Sequence, residues 1–387
     1  MKTYTLQFWL LCFSSYLFFG SFNMIIPELP NYLASMGGEK YLGFIISIFT
    51  LTAGLSRPFS GKLADTIGRI PVMVFGAAVC FIVGFIYPVV NTVFAFLFLR
   101  LIHGFSTGFK PTGTSAYVGD MVPMEKRGEA MGILGISGSL GMASGPAIGG
   151  HLATNYSLET MFYTSSGFAI FSVIILLGMK ETVSNKRPFS LSLLKINMDD
   201  VFEKRVLPPS LVMMFGSFSF GVMLTIIPDF SEYFGIENKG FFFSIFTLSS
   251  VVIRFLAGKA SDRFGRVPVL RVSLIFLTFT LIYFGFVDSV PMLTVGSVFI
   301  GFSVGMLSPT VFAWTVDLSD PKFRGRGMAT MFIALEIGIG LGAFLTGTVY
   351  AYTQYFPYVF WMASVFSTIG FIYLLTVNRR KYDLVKN

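Results

Sequence analysis

Twelve apolar runs, each long enough to cross a bilayer as a helix of about 20 residues, occupy nearly all of this 387-residue chain. Their approximate limits are 6–26, 41–60, 71–90, 93–119, 129–152, 159–180, 207–229, 240–258, 268–288, 290–316, 327–351 and 356–377. Only 12% of the residues are charged, against about 25% in soluble domains, so these runs belong in lipid rather than in a soluble core. Little sequence is left over, which excludes a sizeable soluble domain. The first run lacks a small-residue cleavage site and more runs follow it, so it reads as a retained helix and not as a signal peptide.

The net charge of +8 does not point to nucleic acid, because the basic residues are placed by topology. Most fall in alternate connections: Lys2; Lys62 and Arg69; Lys126 and Arg127; Lys180 to Arg205; Lys259 to Arg271; Lys322 to Arg326; and the tail from Arg379. The other connections hold only Lys40 and Lys239. This asymmetry puts both termini in the cytoplasm of a multi-pass inner (cell) membrane protein. Cys12 and Cys80 lie within apolar runs and imply no disulfide framework. No phosphate-binding loop of the G-x-x-x-x-G-K-[ST] type occurs, so ATP hydrolysis by this chain is not expected. The partners expected are a small-molecule substrate, protons and lipid, with no nucleic acid, no cofactor and a monomeric state.

The chain is also doubled. Ser47-Ile48-Phe49-Thr50-Leu51 recurs letter for letter at Ser244 to Leu248, an offset of 197 residues (position 47 to position 244). At the same offset Arg57, Gly61, Lys62, Asp65, Gly68, Arg69 and Pro71 recur as Arg254, Gly258, Lys259, Asp262, Gly265, Arg266 and Pro268. Gly104 and Gly108 recur as Gly301 and Gly305, Asp120, Arg127 and Gly128 as Asp317, Arg324 and Gly325, and Gly141 and Gly145 as Gly338 and Gly342. Repeats separated by six helices keep one orientation, so the symmetry axis runs along the membrane normal. The expected fold is an all-α membrane protein of twelve transmembrane helices in two pseudo-symmetric six-helix bundles. The expected divisions are an N-terminal bundle 1–180, a cytoplasmic linker 181–206, a C-terminal bundle 207–377 and a tail 378–387. Within the linker, the mixed apolar and basic stretch from Pro188 to Arg205 fits either an interfacial helix or a plain tether.

The connection after the second run reads Gly61-Lys-Leu-Ala-Asp65-Thr-Ile-Gly68-Arg69-Ile-Pro71, and its twin runs from Gly258 to Pro268. Glycine permits a tight turn, aspartate can meet the positive end of a neighbouring helix, and arginine can pair with Asp120 or Asp317. This doubled motif resembles the signature of the major facilitator superfamily. The resemblance covers essentially the whole chain and implies a central cavity lined by helices 1, 4, 7 and 10. It also implies that Asp65, Arg69, Asp120, Asp262, Arg266 and Asp317 act in gating.

Helix 5 carries Gly132, Gly141, Gly145, Pro146, Gly149 and Gly150, small residues that let helices pack closely. Their identity and spacing resemble the helix-5 motif of the antiporter branches, and Gly20, Pro27 and Pro30 resemble the drug:proton antiporter group. On helix 4, Arg100, His103, Thr107, Lys110 and Thr114 share one arc of roughly 80° at about 100° per residue. Ionisable groups inside a span are functional candidates. Arg100 resembles the family's helix-4 arginine, implicated there in proton coupling, and an imidazole such as His103 titrates near neutral pH. Lys110 could instead snorkel to the interface, and His103 could serve packing alone. Glu336, on helix 11, is the only carboxylate well inside a span and is the expected proton site, with a structural ion pair as its alternative.

Cavity candidates are Tyr16 and Asn23 on helix 1, Arg100, Thr107 and Lys110 on helix 4, Ser217 and Ser219 on helix 7, and Ser303, Ser308 and Trp314 on helix 10. An N-terminal half with Arg100 and Lys110 but no deep carboxylate points to an anionic, zwitterionic or neutral amphipathic substrate. The expected function is a proton-coupled exporter working by alternating access, without enzymatic activity. Its rivals are a proton symporter or facilitator importing a sugar or organic anion, and a lipid flippase or scramblase.

Overall fold

Hydrocarbon offers backbone amides no hydrogen-bond partner, so an apolar run can cross it only as a helix that satisfies itself. The computed structural model describes residues 4–38, 41, 44–197, 201–236 and 241–377, and no strand occurs among them. Lys2, Lys40, Lys239, Asp199, Asp200 and the tail 378–387 lie outside the described residues.

Twelve long helices follow one another. They are α1 (Leu6–Ile25), α2 (Phe44–Thr66), α3 (Arg69–Ile86), α4 (Val93–Met121), α5 (Arg127–Asn155) and α6 (Leu158–Leu177), then α7 (Leu207–Tyr233), α8 (Phe241–Phe264), α9 (Arg266–Phe284), α10 (Val290–Leu318), α11 (Arg324–Thr353) and α12 (Phe356–Thr376). A short 3-10 turn and the helical turn Leu29–Ala34 prolong α1. Among the described residues, eleven spans are long and apolar enough to cross a membrane. The helix outside that set is α2, in which Ser47, Thr50, Thr52, Ser56, Arg57 and Ser60 dilute the apolar residues. Helix starts follow local chemistry: Thr92 accepts from Ala95 N at the start of α4 and Ser157 from Thr160 N at the start of α6. Proline stands in the first turn of α7, α10 and α12.

Several helices run past their apolar limits. The stretch from Gly61 to Thr66, expected as part of a loop, is the last turn and a half of α2, and its twin is the end of α8. Hydropathy ends where lipid ends, whereas a helix continues until a residue stops it. Here the stop is Gly68 with φ +121° and Gly265 with φ +93°, values that favour glycine over any side chain. The linker also differs from one interfacial helix: residues 183–190 are not helical, and 3-10 turns form at Leu191–Leu194 and Lys204–Val206.

Two compact units result. The first comprises Met1–Val122, Ile136–Glu203 and Asp320–Ala329, and the second Pro123–Gly135, Lys204–Ser319 and the chain from Thr330. In the first, α2 and α3 pack on α4, while α1 and α3 pack on α6. In the second, α8 and α9 pack on α10, and α7 and α9 pack on α12. The repeat thus reproduces the pairing of helices, and small residues set its closest points. A Cβ at Gly104 would strike Phe49 O, Thr52 and Ala53 of α2; at Gly301 it would strike Phe246 O, Ser249 and Ser250 of α8, the same positions 197 residues on.

Candidate functional site

The doubled motif builds a pair of equivalent polar networks, one in each unit. In the first unit, Asp65 bonds Arg69 and accepts from the backbone N–H groups of Gly325 (2.6 Å) and Arg326 (2.8 Å). These are the second and third residues of α11, so the carboxylate meets the positive end of that helix. Arg69 Nε donates to Asp120 (3.0 Å), and Arg324 donates to the other oxygen of Asp120 (2.6 Å). The second unit repeats the arrangement. Asp262 accepts from Arg266 (2.5 Å) and from Gly128 N and Glu129 N (2.8 Å each) at the start of α5. Asp317 accepts from Arg266 Nε and from Arg127, both at 2.9 Å. Both motif arginines are buried, and their charges are held by paired, charge-assisted bonds.

Sequence reasoning singled out the aspartates and motif arginines but gave no role to Arg127 and Arg324. The repeat itself carried that signal, because both arginines recur at the same offset. It carried no signal for Glu181 and Thr182. Glu181 accepts from Arg69 N and Ile70 N at 3.0 Å each, capping α3, and Thr182 donates to Asp120 at 2.7 Å. The first residues of the linker are therefore part of the first network.

The basic residues of α4 share a face as expected, but that face turns into the interior of the first unit. Arg100, His103 and Lys110 are buried. Arg100 Nε donates to Ile45 O at 2.9 Å, and its guanidinium lies 4.6 Å from the centre of the Phe49 ring. Arg100 Nη1 reaches His103 Nδ1 at 3.4 Å, and His103 Nε2 reaches Cys80 Sγ at 3.3 Å. Since arginine can only donate, Nδ1 is the acceptor and Nε2 carries the proton. Lys110 does not snorkel: its Nζ donates to Ser14 O at 3.3 Å and lies 4.9 Å from the Phe18 ring centre. Burial also applies to Ser219, Ser303 and Trp314 of the second unit. Most of their polar atoms bond protein, which differs from side chains offered to a solute, although Arg100 Nη2 and Trp314 Nε1 are buried without a hydrogen-bond partner among the described residues. Thr114 is likewise buried and donates to Lys110 O at 2.8 Å.

Most of the remaining cavity candidates are less enclosed. Tyr16, Asn23, Thr107 and Ser308 are half-buried; Asn23 donates to Phe19 O, and Ser144 donates to Tyr16. Ser217 is buried and donates to Leu335 O at 3.1 Å. The next residue, Glu336, is half-buried on α11. Among the described residues no cluster of three or more His, Cys, Asp or Glu could hold a metal ion.

Helix α5 lies against α1 along its glycine line. A Cβ at Gly141 would meet Tyr16 O and Gly20 N, at Gly145 Gly20 O and Met24 N, and at Gly149 Met24 O. Gly132 faces Arg254 O of α8, whereas Gly150 has open space around it. The helix continues unbroken through Pro146.

The profile of the Major Facilitator Superfamily matches residues 8–237 and again 209–386. The chain belongs to that superfamily. It is 29% identical over 332 residues to the multidrug resistance protein MdtG of Escherichia fergusonii, covering 82% of this chain and 80% of that one. It is 26% identical over 396 residues to the PmrA homolog, a multi-drug resistance efflux pump of Lactococcus lactis (97% and 94% covered). Multidrug resistance protein 1 of Bacillus subtilis is 24% identical over 365 residues, with 90% of each chain covered. Among solved structures, the human organic anion transporter MFSD10 superposes with a TM-score of 0.82 at 18% identity, covering 95% of this chain and 98% of that one. The proton:xylose symporter XylE gives 0.80 at 14% identity, with 99% and 98% covered. Both likenesses are of fold alone. The protein is an integral membrane transporter resembling the drug:proton antiporter group, and not an enzyme.

Proposed function

We propose that this transporter exports small amphipathic compounds in exchange for protons, by alternating access across the cell membrane with both termini in the cytoplasm. The observation that carries the reading is its similarity, over most of both chains, to multidrug resistance proteins from three bacterial genera. The glycine line of α5 against α1 supports the antiporter assignment. The paired aspartate–arginine networks act as latches in the transport cycle, each holding the start of a helix through Asp65 or Asp262.

Glu336 is the proton site in this reading. It is half-buried on a helix whose remaining span carries no other acid, so it can meet water in one step of the cycle and lose it in another. The enclosure of Arg100 and Lys110 by backbone carbonyls and aromatic rings removes the reason to restrict the substrate to anions. Neutral and cationic amphiphiles therefore fall within its range.

Purified protein in proteoliposomes with an imposed pH gradient tests the proposal. Acid on the side that supplies protons should drive the opposite movement of an amphipathic dye, and Glu336→Gln should abolish that movement while leaving thermal unfolding in detergent unchanged. Dye and proton moving in the same direction would overturn the exporter reading. Unaltered gradient-driven transport by the variant would overturn the role of Glu336.

A further inference from the structure

A cavity of 690 Å³ opens on the first unit, and its lining is apolar throughout. Its walls come from α2 (Leu63), the turn after it (Ile67), α3 (Val72), α4 (Phe109) and the linker (Phe189, Leu194). The linker is fixed over it by Arg187 N donating to Thr66 O (2.8 Å) and by Lys62 Nζ donating to Lys195 O (2.7 Å). Among the described residues no segment covers the positions 197 residues on: Leu256 and Phe264, twins of Phe59 and Ile67, are 59% and 53% exposed. The linker thus closes one side of this pocket, and among the described residues the second unit has no counterpart to it.

The linker segment that covers the pocket carries basic residues. Arg187 stands two residues before Phe189, Lys195 directly follows Leu194, and Lys186 adjoins Arg187; all three side chains are exposed. An apolar chamber of a size typical for small-molecule sites, roofed by a basic segment, matches an apolar chain attached to an anionic head. We propose that the pocket holds an acyl chain of one anionic phospholipid from the surrounding bilayer, with its phosphate among Arg187, Lys195 and Lys186. The acyl chain passes from one apolar environment to another, so it supplies fit rather than affinity, while each basic side chain near the phosphate strengthens binding by about fivefold. The occupant would pin the linker against α2, a few residues after the Glu181–Thr182 contacts that brace the first network. This inference does not depend on what is transported or in which direction.

Native mass spectrometry of the intact, detergent-purified chain reads the site directly. Titration with dioleoylphosphatidylglycerol should give a single retained adduct and dioleoylphosphatidylcholine a much weaker one. Arg187→Gln with Lys195→Gln should weaken the phosphatidylglycerol adduct by about 30-fold. Leu194→Trp, which fills the chamber while keeping the linker charges, should also lose it. Thermal unfolding without added lipid checks that both variants fold. Equal retention of the two lipids, retention of the adduct by the folded Leu194→Trp variant, or equal binding of free oleate would each overturn the proposal.

Discussion

Lys110 shows how a charge can lie inside a membrane span without facing a solute. Its ammonium is held by Ser14 O and the Phe18 ring, and Ser14 O also accepts from Ser172 Oγ at 3.0 Å. Replacing Lys110 by methionine therefore strands no acceptor. The variant should unfold in detergent within about 1 kcal/mol of the parent, and loss of several kcal/mol would show that the charge itself holds the bundle. That α4 carried three basic residues on one arc was legible from helical periodicity. Which way the arc faced was not, because amphipathicity in lipid does not separate a polar core from a polar cavity. The repeat held a better clue. Arg100, His103, Cys80 and Tyr87 fall on Ser297, Ile300, Leu277 and Phe284 at the same offset. All four of those residues are also buried, so the shared position is an interior one that only the first half fills with ionisable groups.

At the scale of elements, close contact between α1 and α5 depends on particular glycines rather than on glycine content. A methyl at position 145 would lie 2.5 Å from Gly20 O and 3.0 Å from Met24 N, both backbone atoms. Gly145→Ala should force the helices apart at a cost of about 1–3 kcal/mol and depress transport. Gly150→Ala, with nothing within 4 Å, should leave both unfolding and transport unchanged; equal effects of the two would mean that the glycines matter for something other than packing. The sequence motif does not separate these two residues, since spacing reports a helix face but not what the face meets. Helix number and order were legible because each span carries its own apolar run. The ends of α2 and α8 were not, because their last turns are polar and the stop lies in the positive φ of Gly68 and Gly265. The capping role of Glu181 was hidden as well, for it depends on where the linker folds back.

On the scale of the molecule, the two networks share no residue. Asp65 works with Arg69, Asp120, Arg324 and the start of α11; Asp262 works with Arg266, Asp317, Arg127 and the start of α5. Asp65→Asn and Asp262→Asn should each cost about 1.5–3 kcal/mol, because the amide can still cap the helix but no longer carries the charge that bonds the buried motif arginine. Their effects on unfolding should add within about 0.5 kcal/mol. A larger coupling energy in the double variant would mean that one element senses both.

The reciprocity of these bonds bears on ancestry. Asp65, from the first copy of the repeat, binds Gly325 in the second, while Asp262 in the second binds Gly128 in the first. Residue i meets j′ and j meets i′, which is the rule of an isologous interface between identical subunits. A six-helix precursor bearing one copy of the motif would already have possessed both halves of the contact, and could have paired with itself before any gene was doubled. Fusion then freed the copies to diverge, and the interior of one half could acquire Arg100, His103 and Lys110 without the other having to follow.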